Sequence, residues 1–338
     1  MFKGKSLIAI LLLAGLVLVP KSAHALTLSP IRYEISGNPG EVLTEEIKVF
    51  NESKKSQFYY ISFSNFEAQG DSGSPAFVDP KDGLGTWITT SEASLNLAAG
   101  EQKTVTFKIA IPKDAEPGGH FAALFFGTTA PGESNGVSIG TKTGALILLS
   151  VAGEVRESAG LVDFQLHNNK HFYKSLPVGF QYRFSNQGGD RVKPKGNVIV
   201  RSILGWRVKK VNANPGDGNV LPKTTRKFTP EWSKRTSISD RDQENARNEK
   251  YSFKKAVVDE WQNFAVGIYR ARLISEFGTT NQVVKSKAVY FVVLPWELLL
   301  VIFVLGTPIF FILRMLVRRY NRAIIRKAQK GFANQQGI

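Results

Sequence analysis

Residues 294–317, LPWELLLVIFVLGTPIFFILRMLV, constrain this chain more than any other stretch. They are long enough to cross a hydrocarbon core, which takes roughly 20 mostly apolar residues. Trp296 stands where an interfacial anchor belongs, and Arg314, Arg318 and Arg319 close the other end. Residues 314–338 hold seven Lys/Arg and no Asp or Glu. That asymmetry predicts a cytoplasmic C-terminus, with everything before residue 294 outside the membrane. Glu297 lies one turn inside the outer edge, where it is expected to reach headgroups and water. Pro308 is compatible with a spanning helix, which can re-satisfy one lost hydrogen bond locally.

The N-terminus agrees with export. Lys3 and Lys5 precede an apolar run at 7–19, and Ala23-His24-Ala25 forms an A-x-A cleavage site, so residues 1–25 read as a secretory signal peptide. A signal peptide followed by a stop-transfer helix predicts a single-pass type I protein of the cell membrane. Residues 26–293 suit two domains of ordinary size. The chain has no cysteine, so the exported body must hold by core packing alone, which fits a bacterial envelope.

The net charge of +16 is unevenly spread. Residues 26–155 carry 9 Lys/Arg against 15 Asp/Glu, whereas residues 156–293 carry 25 against 12. The half nearest the membrane is basic and the distal half acidic. Such a field favours anionic wall polymers, anionic lipid headgroups or an acidic surface protein as partners. An exported chain does not meet nucleic acid.

Ahead of the apolar segment, no long stretch keeps a helical period. Short alternating or β-branched runs occur instead at 42–50, 58–66, 105–111, 121–126, 178–185, 195–203, 265–276 and 282–293. In the third of these, Val105, Phe107, Ile109 and Ile111 should face a core and Thr106, Lys108 and Ala110 the other way. Asn38-Pro39-Gly40, Ala98-Ala99-Gly100 and Pro117-Gly118-Gly119 mark turns. The pattern predicts an all-β fold of two tandem immunoglobulin-like sandwiches, 26–155 and 156–293, then a single transmembrane helix, 294–317, and a basic tail, 318–338. Tyr269, following Gly267, sits where a tyrosine corner would. Residues 233–250, SKRTSISDRDQENARNEK, lack apolar periodicity and read as a solvated polar insertion.

The first of these regions resembles the N-terminal domain of WxL-interacting proteins, a bacterial cell-surface family. The shared elements are a Pro-Gly turn before a strand ending in Asn (Pro39, Gly40, Asn51) and a Gly-Glu turn before an apolar strand (Gly100, Glu101). An Ile-Pro then precedes Gly-Gly and a further strand (Ile111, Pro112, Gly118, Gly119). A second sandwich, one membrane helix and a basic tail match the family's layout; the insertion at 233–250 departs from it. The resemblance implies a non-enzymatic surface protein whose first domain contacts peptidoglycan and whose second contacts other proteins.

Motifs with catalytic or metal chemistry fall away on inspection. Gly70-Asp71-Ser72-Gly73-Ser74-Pro75 is similar to a serine-protease nucleophile loop, but the only earlier histidine, His24, leaves with the signal peptide. His167 and His171 have helical spacing but no nearby carboxylate ligand. Leu221-Pro222-Lys223-Thr224-Thr225 lacks the glycine of a sortase signal. No catalytic residue, metal ligand or cofactor is predicted. The candidate glycan contacts are Tyr59, Tyr60 and Trp87, with Tyr59 and Tyr60 on opposite strand faces. The candidate contacts for an anionic polymer are Lys209, Lys210, Arg226, Lys227, Lys234 and Arg235. The functional expectation is adhesion or scaffolding at the cell envelope. The alternative is an accessory or sensory subunit of a membrane complex, joined through the helix and the Arg-rich tail.

Overall fold

The computed structural model describes residues 26–130, 141–234 and 252–335, with side chains to Ile325. Residues 1–25, expected to be a signal peptide, and most of the polar stretch at 233–250, including Arg235, lie outside the described residues. The chain forms two compact units. One comprises the residues up to Ala159 together with Asn186–Val192 and Asn219–Thr225; the other comprises Gly160–Ser185, Lys193–Gly218 and everything from Arg226 onward.

The first unit is a β-sandwich. One sheet runs β1 (Leu26–Ser29), β3 (Val42–Asn51), β8 (Gln102–Ala110), β6 (Ile88–Thr90). The other runs β2 (Arg32–Gly37), β10 (Lys142–Val151), β9 (Gly118–Gly127), β4 (Gln57–Gln69), β5 (Ser74–Val78), with β7 (Ser94–Leu97) also paired to β4. A one-turn helix, α1 (Leu84–Trp87), precedes β6. The expected alternation holds in β8: Val105, Phe107 and Ile109 are buried, as is Ile111 just beyond the strand. They meet Ile61, Leu124, Phe126, Ile147 and Leu149 of the facing sheet in one core. β9 and β10 are apolar on both faces, so a second cluster of Phe66, Ala123 and Leu148, with Phe121 and Phe125 against it, forms on the outer side of their sheet.

The second unit repeats the architecture. β11 (Ala159–Leu166), β13 (Val178–Asn186) and β16 (Thr224–Phe228) form one sheet, with β17 (Glu231–Trp232) on β13. The other sheet runs β12 (Phe172–Tyr173), β20 (Val289–Val293), β18 (Gly267–Phe277), β14 (Lys195–Ser202), β15 (Arg207–Asn212), with β19 (Gln282–Lys285) on β18. Aromatic pairs tie the sheets together: Phe180 lies 5.9 Å from Phe291 and Phe184 5.1 Å from Phe277. The tyrosine corner is present, with Tyr269 Oη donating to Val266 O at 2.7 Å. The run 282–293 divides into two strands because Ser286 replaces the ladder: its Oγ accepts the Leu273 N–H at 2.9 Å and donates to Lys287 O at 2.7 Å.

Two helices complete this unit. α2 (Phe253–Gln262) is a ten-residue helix inside the region expected to be all-β. It hides Glu260 and exposes Val258 and Trp261. α3 (Trp296–Gln335) starts two residues later than residue 294 and runs unbroken past Val317, with Pro308 inside it. Over Trp296–Ile325 it is long and apolar enough to cross a membrane, and none of its most apolar window is buried by protein.

Asn51, fully buried at the end of β3, holds a three-way turn in the first unit. Its Nδ2 donates to Lys55 O, Leu97 O and Ala98 O at 2.9, 3.1 and 2.9 Å, and its Oδ1 accepts from Ser53 N and Oγ. Losing one partner of a buried hydrogen bond costs about 1–3 kcal/mol. Asn51→Ala is therefore expected to destabilise the first unit by about 2–3 kcal/mol, read as a lower denaturant midpoint of the detergent-solubilised chain. An unchanged midpoint would show that water replaces these bonds.

Candidate functional site

β18 buries Tyr269, Ala271 and Leu273, which turns Arg270, Arg272 and Ile274 to the outer face of the sheet. The neighbouring strand β14 buries Val198 and Val200 and so turns Ile199 and Arg201 outward. The register sets Arg201 opposite Arg270 and Ile199 opposite Arg272. Tyr290 of β20 lies opposite Arg270, and Lys210 of β15 opposite Ile199. The result is a shallow groove of about 290 Å³ lined by three arginines, Ile199, Ile274 and Tyr290, with Ala288 at its edge.

Like charges directly opposite across a strand pair are destabilising. Among the described residues, none of Arg201, Arg270 and Arg272 forms an ion pair; Arg201 Nη1 donates to Gly205 O at 3.2 Å. Three guanidiniums over an apolar floor suit a ligand with carboxylate or phosphate groups, which planar guanidinium forks bind through paired N–H donors.

The cations expected from sequence scatter. Lys210, opposite Ile199, shares the groove's sheet face without lining the groove, whereas Lys209 pairs with Val200 on the other face. Arg226 lies in the other sheet with its guanidinium 5.4 Å above the Phe228 ring, beside half-buried Lys227. Lys234 is exposed beyond β17. Arg201, Arg270 and Arg272 were not singled out, although the alternation in YRARL carries their signal: arginine at every second position of a strand.

The glycan candidates do not share a face. Tyr59 is in the core; Tyr60 points the other way, beside Phe58 at 4.9 Å between ring centroids. Trp87 packs on the edge of the core, 4.7 Å from the His120 ring. The GDSGSP stretch forms the β4–β5 hairpin turn, with Gly70 and Gly73 at positive φ and Ser72 Oγ donating to Ser74 Oγ at 3.0 Å. His167 opens a short 3₁₀ turn, and His171 Nδ1 lies 2.8 Å from Tyr290 O.

At the foot of α3 the structure corrects the reading of Glu297. This residue is fully buried rather than solvated, and Lys174 Nζ donates to its Oε1. Lys174 also stands 5.1 Å above the Trp296 ring. Glu260 of α2 accepts the Leu298 N–H at 2.7 Å through Oε2, while its buried Oε1 has no donor. Burial pushes the Glu260 carboxyl up to about 7, helped by a side-chain hydrogen bond to Glu297. Of the membrane-interface candidates, Trp296 opens α3, and Arg314, Arg318 and Arg319 lie exposed further along it.

No family model and no curated protein matches the chain. Among solved structures it is similar to the class 5 fimbriae chaperone CfaA, at 14% identity over 80% of this chain and 100% of that one, with a TM-score of 0.36. The E. coli chaperone DraB matches at 12% identity over 80% and 97%, with a TM-score of 0.33. The CsuC–CsuE chaperone–tip adhesion subunit complex of Acinetobacter baumannii matches at 14% identity over 60% and 89%, with a TM-score of 0.32.

A carboxyl raised above its unfolded value contributes stability that is complete below pH 4.5 and is lost as pH rises through about 7. The docking of α2 on α3 should therefore loosen between pH 5 and 8, by the same linkage. Glu260→Gln, neutral throughout, is expected to resist limited proteolysis near α2 better than the parent chain at pH 8 and equally at pH 5. The same pH trend in both chains would place the titrating group elsewhere.

Proposed function

We propose that this chain is a membrane-anchored cell-envelope protein of the binding or scaffolding class. In this reading α3 spans the membrane, both sandwiches lie outside and the basic C-terminal segment lies inside, as the positive-inside rule favours. The observation that carries the reading is the groove of Arg201, Arg270 and Arg272, built on a sheet whose last strand leads directly into α3. A cationic face held beside a bilayer meets whatever anionic polymer or acidic protein lies against that membrane. The ligand class is an anionic wall polymer or an acidic surface protein, bound without catalysis.

The first unit's role as a peptidoglycan contact rests on its resemblance to WxL-interacting proteins, and its immunoglobulin-like sandwich is in keeping with that. The outer face of this unit's larger sheet carries Phe58, Tyr60 and Phe77, with Phe66, Phe121 and Phe125 packed beside Phe77; of the three residues expected from sequence only Tyr60 is on it.

Co-sedimentation of the detergent-solubilised full chain with purified cell-wall sacculi tests the reading. The chain should pellet with sacculi, and replacing Arg201, Arg270 and Arg272 by Ala should weaken pelleting most at low salt, where charge is least screened. Pelleting that is indifferent to both the substitutions and the salt would assign wall contact to another surface. No pelleting of the parent chain would remove the wall polymer as ligand.

A further inference from the structure

Three of the chain's five tryptophans are exposed at one end of the second unit: Trp206 is 71% exposed, Trp261 68% and Trp296 41%. The register places them together. The turn between β14 and β15 is closed by Ser202 N–H to Trp206 O and Gly205 N–H to Ser202 O, both at 2.9 Å. Ile203 N–H donates to Ile268 O at 2.9 Å, and Ile268 in turn lies opposite Val292 of β20. That turn therefore stands two strands, roughly 10 Å, from the point where β20 leaves for α3. Its tip, Leu204, is 72% exposed. α2 ends beside the same edge, with Asn263 O accepting the Leu176 N–H at 3.1 Å.

α2 is inverted for a helix bathed in water. It hides Glu260 and presents Trp261 and Val258 outward. An amphipathic helix with its apolar face unpartnered, docked on the first turn of an apolar helix, has the arrangement of an interfacial segment. Tryptophan is the side chain most suited to the headgroup level of a bilayer. Cations flank the apolar tip: Arg201 and Arg207 on the turn's own strands, and Lys174 over Trp296. Juxtamembrane cations are drawn to anionic headgroups.

We infer that the β14–β15 turn and the outer face of α2 form a membrane-seating surface, with Leu204, Trp206 and Trp261 inserted at the headgroup level of the bilayer that α3 crosses. The occupant is the lipid interface itself. The seat has three points, the hairpin tip, α2 and the start of α3, and so fixes the tilt of the second unit on the membrane. It holds the arginine groove, whose residues continue along the same strands, at a set height above the bilayer. The inference rests on the reading of α3 as a span.

The absence of native cysteine makes the test direct. Single cysteines at Leu204, Trp206, Ile309 and Thr280 of the full chain are spin-labelled and reconstituted into vesicles of phosphatidylcholine with phosphatidylglycerol. Each label's accessibility to oxygen, which concentrates in lipid, is compared with that to a water-soluble nickel chelate. Ile309 reports the span, and Thr280, in the β18–β19 turn at the far end of the strand, reports water. Labels at Leu204 and Trp206 should shift to the lipid side relative to Thr280. Water-like values there with a lipid-like Ile309 would overturn the seat while leaving the span intact. Low accessibility to both reagents would mean a protein partner covers the tip, which also overturns it. A water-like Ile309 would instead sink the span, and the seat with it.

Discussion

β20 is hydrogen-bonded on both flanks, parallel to β12 and antiparallel to β18, and only Leu294 and Pro295 separate its last residue from α3. A strand inside a sheet cannot slip by one residue without turning its buried side chains outward. Phe291 and Val293 are locked into the core, so the apolar helix leaves from one defined edge of the second sandwich. Glu297 and Lys174 reinforce the joint from the helix side, and Glu260 caps the Leu298 amide from α2. The remaining geometry of this unit follows from that attachment: which end of the sheet α3 leaves from, and how far along the strands the arginines sit from it.

Much of this was legible in the residues. Alternation in VTFKIAI places Val105, Phe107 and Ile109 inward without any structure, and the tyrosine corner at Tyr269 follows from Gly267 and strand position. The apolar run and its arginines announce a helix of spanning length. What stayed hidden depended on partners distant in sequence. Glu297 reads as an exposed charge until Lys174, 123 positions earlier, is brought beside it. α2 is only ten residues long, and its apolar Phe253, Val258 and Trp261 face outward instead of joining the core. The groove required knowing that β14 and β18 are neighbours; each strand alone shows only scattered arginines. Lys209 and Lys210 illustrate the converse, since adjacent residues with equal charge take opposite faces and only Lys210 shares the groove's face.

The basic excess of residues 156–293 is therefore not a uniform coat. Part of it is neutralised within the unit, as in Arg183 with Asp163 and Lys193 with Asp217. Of the remainder, Arg201, Arg270 and Arg272 share one sheet face, while Arg226 lies in the other sheet. Apposed like charges persist at a cost, and an anionic surface or ligand offsets that cost more effectively than water. The buried carboxyls at the joint follow the same logic in reverse: Lys174 pairs with Glu297, and burial raises the pKa of Glu260.

The claim on which the account turns is that α3 crosses the membrane with the sandwiches outside. Labelling intact cells with a membrane-impermeant maleimide, using the full chain with a single cysteine at Thr280 or at Ile325, tests it directly. The account predicts that the Thr280→Cys chain reacts in intact cells and the Ile325→Cys chain reacts only after the membrane is permeabilised. Reaction at position 325 in intact cells, or protection at position 280, would contradict it.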